Sequence, residues 1–285
     1  MLALFMLMSI FGQLVEQEMP HFVVNRALYE VRERPSKTYS WKAFILSSIL
    51  VEIPWAILMA TLIYLSWYYP IGLYRNAAVT NEQDLRGGLM FLLLVTYLVF
   101  TTTFANLCIA AIPNAETGAN IANLLFMFSL IFCGVLVSKE KLGAFWIFMY
   151  RASPFTYLIS GMLSTAVANT NIVCASNEIL IMQPPFGSTC EEYLSGYISA
   201  AGGYIVDGNG TADCGVCPMA STNEFLKLVS APYSEAWRNL GIMWLYIAVN
   251  VLGALVLYWA FRVPKRISSK KGEAGIGMSD CSVPA

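Results

Sequence analysis

Cys214-Gly-Val-Cys217 is the place where residue type and spacing most directly suggest reactive chemistry, since two thiols two residues apart can cycle as a dithiol or form half of a zinc site. A zinc site needs a second such pair or a histidine pair, and the chain's one histidine, His21, lies in a different segment. Cys174, Cys190, Cys214 and Cys217 form an even set within one polar stretch, which predicts structural disulfides with three connectivities open. Cys108 and Cys133 sit in apolar runs and read as small buried residues, and Cys281 as a tail thiol. No G-x-x-x-x-G-K-[ST], H-E-x-x-H or G-x-S-x-G sequence occurs, so no catalytic residue, metal ligand or bound cofactor is assigned to this chain.

A second kind of chemistry is electrostatic. Phe22 to Trp41 packs Arg26, Glu30, Arg32, Glu33, Arg34 and Lys37 between strongly apolar stretches. Arg26–Glu30 and Glu30–Arg34 are both i,i+4, which predicts a short amphipathic helix laddered by salt bridges and stopped at Pro35. Such an element suits docking on a soluble partner. A third kind is polar chemistry inside apolar sequence: Glu116, Asn120 and Asn123 fall on one helical face, and Thr102 and Asn106 are i,i+4 in the run before. Asparagines are costly toward lipid, so this face either bonds another helix or lines a solute path. Phe126, Met127, Phe128 and Phe132 would give such a path an adaptable apolar wall.

The elements that carry these residues are membrane helices. Of the 285 residues 57% are hydrophobic and 12% charged, against about 25% charged in soluble domains. Mean hydropathy is +0.60. There is no basic patch for nucleic acid. Apolar runs long enough to span are Ala43–Tyr69, Gly88–Ile112, Gly118–Val137 and Ala236–Phe261. Met1–Gly12 is too short and is expected to be the tail of a span that begins upstream. Phe145–Ala168 is split by Arg151 and Pro154 and reads as a re-entrant or outer-leaflet helix pair. Glu52, near the start of the first full span, reads as an interfacial carboxylate, with a functional role as the alternative.

Lysine and arginine placement sets the expected orientation. Arg26, Arg32, Arg34, Lys37 and Lys42 on one side of the spans, and Arg262, Lys265, Arg266, Lys270 and Lys271 after the last, are both expected in the cytoplasm, which four spans permit. The stretch from Ser138 to Glu235 carries four basic residues (Lys139, Lys141, Arg151, Lys227) and eight acidic ones (Glu140, Glu178, Glu191, Glu192, Asp207, Asp213, Glu224, Glu235), which suits the outside. The sequon Asn209-Gly210-Thr211 and the four cysteines point the same way.

Tyr29-Glu-Val-Arg-Glu-Arg-Pro-Ser-Lys-Thr-Tyr-Ser-Trp41, followed by Val51-Glu-Ile-Pro-Trp55, resembles the second transmembrane domain of fungal pleiotropic-drug-resistance ABC exporters, G-type transporters with an ABC-2 membrane domain. The resemblance covers essentially the whole chain. It implies an all-α polytopic bundle: residues 1–13 a partial transmembrane helix, 14–42 a cytoplasmic coupling segment, 43–137 three transmembrane helices, 138–235 re-entrant helices and a disulfide-bearing extracellular loop, 236–261 the last span, and 262–285 a basic cytoplasmic tail. It also implies that Arg26, Tyr29, Glu30, Arg32, Glu33 and Arg34 couple to a nucleotide-binding domain, and that the Asn120–Asn123 helix faces a path for hydrophobic drugs, sterols or lipids. ATP and Mg would be bound by domains outside this chain. The partners implied are those nucleotide-binding domains, the other transmembrane half and the bilayer, and the implied location is the plasma membrane. A tetraspanin-like scaffold is the alternative, although it would carry Cys-Cys-Gly in its large loop. An intramembrane enzyme would need paired Asp, Ser/His or metal ligands that are not visible.

Overall fold

The computed structural model describes residues 2–135 and 142–263. The expected end of the third span at Val137, the loop charges Lys139, Glu140 and Lys141, and the tail with Lys265, Arg266, Lys270, Lys271 and Cys281 lie outside the described residues. In chain order the helices are α1 Leu2–Met8, α2 Phe11–Leu28, α3 Trp41–Ile63, α4 Tyr69–Ile71, α5 Leu73–Val79, α6 Gln83–Ile109, α7 Ala115–Ile131, α8 Ile147–Ala152, α9 Pro154–Val167, α10 Cys190–Ala201, α11 Thr222–Leu228 and α12 Ala236–Arg262. The strands are β1 Leu180–Met182, β2 Tyr204–Ile205 and β3 Cys214–Cys217.

Helix α6 is the hub. It is apolar on all sides, and a helix of that kind is stable only when surrounded. Its most apolar window is 67% buried, against 28% for α3 with its extension and for α12. Helices α2, α3, α7, α9 and α12 all pack on it. Phe11, Phe126 and Phe155, from α2, α7 and α9, close the centre, with Phe11 stacked on Phe126 at 4.3 Å and Phe126 edge-on to Phe155 at 5.1 Å. The α7 crossing is close because residue 118 is glycine: a Cβ there would lie 2.6 Å from Ile109 Cδ1 and 3.0 Å from Met19 Sδ.

Among the described residues, three helical stretches are long and apolar enough to cross a membrane: Trp41–Ile71, which runs on from α3 through a π-turn at Tyr64–Tyr68 into α4, then Gln83–Ile109, and Tyr233–Arg262. Four complete spans were expected. The third, α7, has 17 residues, about 26 Å of rise against a hydrocarbon core of about 30 Å. It ends at Ile131: Phe132 leaves helical geometry at ψ 8°, and Gly134 follows at φ +88°. The Phe145–Ala168 stretch is broken as expected: Ser153 is extended and Pro154 opens α9, since the residue before a proline avoids helical geometry.

The polar stretch folds into a small layer of its own. β3 lies between β1 and β2, antiparallel to both, with Leu180 opposite Val216 and Tyr204 opposite Cys217. Of the three cysteine connectivities the fold selects Cys174–Cys217 and Cys190–Cys214. The C-x-x-C thiols therefore point to different partners and form no dithiol. Asn209 is exposed, between β2 and β3.

Candidate functional site

The charged stretch is not the separate salt-bridged helix expected. Helix α2 runs from Phe11 and continues through a π-turn at Tyr29–Glu33, and the chain turns at Arg34–Lys37 around Pro35. Neither Arg26–Glu30 nor Glu30–Arg34 is among the ion pairs of the described residues. The i,i+4 spacing offers such pairs, but a pair of that kind is worth only about 0.3–0.5 kcal/mol, and better partners lie across the fold.

Those partners are the ends of other helices. Arg26 is buried and donates from Nη1 to the Ile109 carbonyl and from Nη2 to the Pro113 carbonyl, each at 2.8 Å. These carbonyls flank the C-terminus of α6, where the helix leaves acceptors unsatisfied and the dipole favours a cation. Arg34 Nη1 donates to the Arg262 carbonyl at 2.8 Å, at the end of α12. Tyr258 donates to Glu30 at 3.3 Å, and Arg262 approaches the same carboxylate at 4.0 Å and the Ala111 carbonyl at 3.4 Å. Tyr29 is buried, stacked on Phe44 of α3 at 4.8 Å, and its hydroxyl donates to the Tyr39 carbonyl at 3.4 Å. Burial pushes the Tyr29 phenol above its usual pKa. Tyr39 donates to Glu33, and holding its proton against that carboxylate pushes its own pKa up to about 12.

Of the six residues assigned to docking, five thus bind the segment to its own protein. Arg32 reaches only its neighbour, pairing with Glu33 at 3.4 Å, and is 77% exposed, with Val31 beside it at 80%. Val31, Arg32 and Leu28 together form an exposed corner.

Above this corner α2 and α3 separate, leaving two adjoining clefts of about 280 and 270 Å³ that share Glu18, His21 and Glu52. Thr102 and Asn106 of α6 form their back wall. Glu18 accepts from Asn106 Nδ2 at 2.9 Å. Two residues earlier, Glu16 accepts from Asn123 Nδ2 at 3.1 Å, so the asparagine face of α7 bonds another helix at this position. The residues expected along a solute path are therefore divided. Thr102 and Asn106 line the clefts, Phe126 is in the aromatic core, and Asn120 and Met127 are exposed on α7. Phe132 stacks on Trp146 at 5.1 Å, toward α8.

Glu16, Glu18 and the cleft position of His21 were not anticipated. A signal existed: the sequence Glu16-Gln-Glu18-Met-Pro-His21 directly follows an apolar run, and carboxylates next to a membrane segment need partners.

Comparison with known proteins gives the family. Residues 1–167 match the family model "ABC-2 type transporter". The chain is 58% identical over 265 residues to ABC multidrug transporter C of Aspergillus fumigatus, covering 93% of this chain and 18% of that protein. It is 54% identical over 283 residues to ABC multidrug transporter AFR2 of Cryptococcus neoformans var. grubii, covering 99% of this chain and 18% of that one. It is also 57% identical over 265 residues to the ABC-type transporter oblD of Aspergillus clavatus, again 18% of the relative. The chain thus spans under a fifth of the length of these relatives, and it belongs to the ABC-2 type transporter family as a helical membrane domain.

Proposed function

We propose that the chain is the membrane-spanning part of an exporter that moves hydrophobic drugs, sterols or lipids out across the plasma membrane, driven by ATP hydrolysis in nucleotide-binding domains outside this chain. The family and the multidrug names of the relatives support the transport reading. Those domains would hold ATP and Mg, and a second transmembrane half would complete the path. The Arg262 end of the bundle would face the cytoplasm, in keeping with its arginines.

The observation that carries the mechanism is the tethering of the Tyr29–Glu33 turn to the ends of α6 and α12 through Arg26, Glu30 and Arg34. A push on the exposed Leu28–Val31–Arg32 corner by a closing nucleotide-binding pair cannot be absorbed by local bending. Instead it shifts α2, α6 and α12 together against α3 and changes the width of the clefts. Apolar cleft walls at Phe22, Phe44 and Trp55 suit hydrophobic cargo, and the polar residues set its orientation.

The test is made in the full-length protein. Arg32→Glu, at an exposed position, is expected to cut export at least tenfold while nucleotide binding is unchanged. The double reversal Glu33→Lys with Arg34→Glu should go further, because it also releases α12. Export at the original rate in Arg32→Glu would remove the docking assignment.

A further inference from the structure

At the end of the bundle opposite Arg262, where the α8–α9 elbow meets the start of α12, a cavity of about 220 Å³ is walled by Arg151, Tyr157, Ser160, Glu235, Arg238 and Asn239. None of these residues takes part in the tethered turn or the clefts. Asn239 is 1% exposed. Its Nδ2 donates to Ser160 Oγ at 3.2 Å, while its Oδ1 is buried and accepts nothing among the described residues. An orphaned buried carbonyl is destabilising, and a donor in the cavity would satisfy it.

The charges around it are unequal. Arg238 is held by Glu235 through two contacts of 2.7 and 2.5 Å, so this pair is neutral overall. Arg151, in the last turn of α8, is exposed and is in none of the ion pairs among the described residues. The cavity therefore offers one uncompensated guanidinium and, separately, an acceptor group made by Asn239 Oδ1 and Glu235. An anion and an N–H donor within one ligand would satisfy both.

The surroundings identify the source of such a ligand. Phe145, Trp146 and Phe148 are exposed on the same elbow, and Trp237 and Trp244 on the adjoining α12. Exposed aromatic rings at the end of a membrane helix mark the headgroup level of a bilayer. We propose that this cavity binds the phosphoethanolamine headgroup of a phospholipid, with the phosphate on Arg151 and the ammonium donating to Asn239 Oδ1 and Glu235. A choline headgroup has no N–H and would leave Asn239 Oδ1 unpaired. The proposal rests on the cavity itself and stands whether or not the chain exports anything.

The full-length protein, reconstituted in nanodiscs of equimolar phosphatidylethanolamine and phosphatidylcholine, is released and its retained lipids are counted by native mass spectrometry. Ethanolamine lipid is expected in at least fivefold excess over choline lipid. Arg151→Gln, at an exposed position that leaves the fold intact, should lower its retention about tenfold. Asn239→Leu should abolish the preference, and Glu235→Gln should weaken it should the Asn239 variant not fold. Equal retention of the two lipids, or unchanged retention in Arg151→Gln, overturns the proposal. Displacement of the lipid by 10 mM inorganic phosphate would identify a soluble-anion site and overturn it as well.

Discussion

Arg26 caps the end of α6 from inside the protein, with both Nη groups of its guanidinium bonded to carbonyls. Removing it takes the side-chain donor from both carbonyls: that of Ile109 keeps the Ile112 N–H at 3.2 Å, and that of Pro113 loses the guanidinium. Hydrogen bonds to charged groups are worth about 1.5–3 kcal/mol each. Arg26→Ala is therefore expected to destabilise the full-length protein by about 3 kcal/mol, read as a lowered thermal midpoint in detergent. Arg26→Lys should recover less than half of this, since a single ammonium on a flexible stem lacks the fork that spans two fixed acceptors. An Arg26→Ala protein that melts with the original would mean that water serves these carbonyls equally well. The same residue marks what could be read in the sequence. Their spacing put Arg26, Glu30 and Arg34 on one helical face and suggested that they pair with each other, whereas their partners lie on other helices. Local spacing fixes which side chains share a helical face, whereas the carbonyls of Ile109, Pro113 and Arg262 come from positions up to 228 residues away.

Among the elements, the disulfide layer and the α7 crossing depend on different physics. The Cys190–Cys214 and Cys174–Cys217 bridges close loops with separations of 24 and 43 residues, which by chain entropy stabilise by about 3.5 and about 4 kcal/mol respectively. Their hydrophobic cluster is small, with Leu194 and Val216 as its buried aliphatic residues. A layer of that size depends on its bridges. Cys190→Ser is expected to unfold the β1–β3 layer and leave the helical bundle intact, as judged by limited proteolysis at the loop with the α6 and α12 segments protected. Gly118→Val tests the crossing, because overpacking a close helix contact costs about 1–3 kcal/mol and should lower the thermal midpoint without touching the loop. The helices themselves were legible because apolar runs ended by Pro113, Pro154 or charged residues leave little choice in a bilayer. The short α7 was not, because it ends at Ile131 within an unbroken apolar run, with no proline or charge to mark the place.

At the scale of the molecule the bundle divides into a tightly packed part and one open seam. Helices α6, α9 and α12 meet along buried aliphatic and aromatic side chains, and α2 joins them through Phe11, Val15, Met19 and Phe22. Between α2 and α3 the packing gives way to the paired clefts, lined by Glu18, His21 and Glu52. Close-packed interfaces resist gradual deformation, so relative movement concentrates where packing is already absent. On the export reading, the α2–α3 seam is the hinge line and the tethered Tyr29–Glu33 turn is the lever. Gln17 and Met59 line the same cleft from α2 and α3 and are both exposed. Replacing both with cysteine and bridging them with a bifunctional thiol reagent in the full-length protein should stop export by at least tenfold, with ATP hydrolysis continuing at a substantial fraction of its rate. Each single-cysteine protein treated with the same reagent should export normally, which separates locking from simple obstruction of the cleft. A bridged protein that still exports at the original rate would show that α2 and α3 move as one body, and the movement would then have to be sought between this domain and its second half.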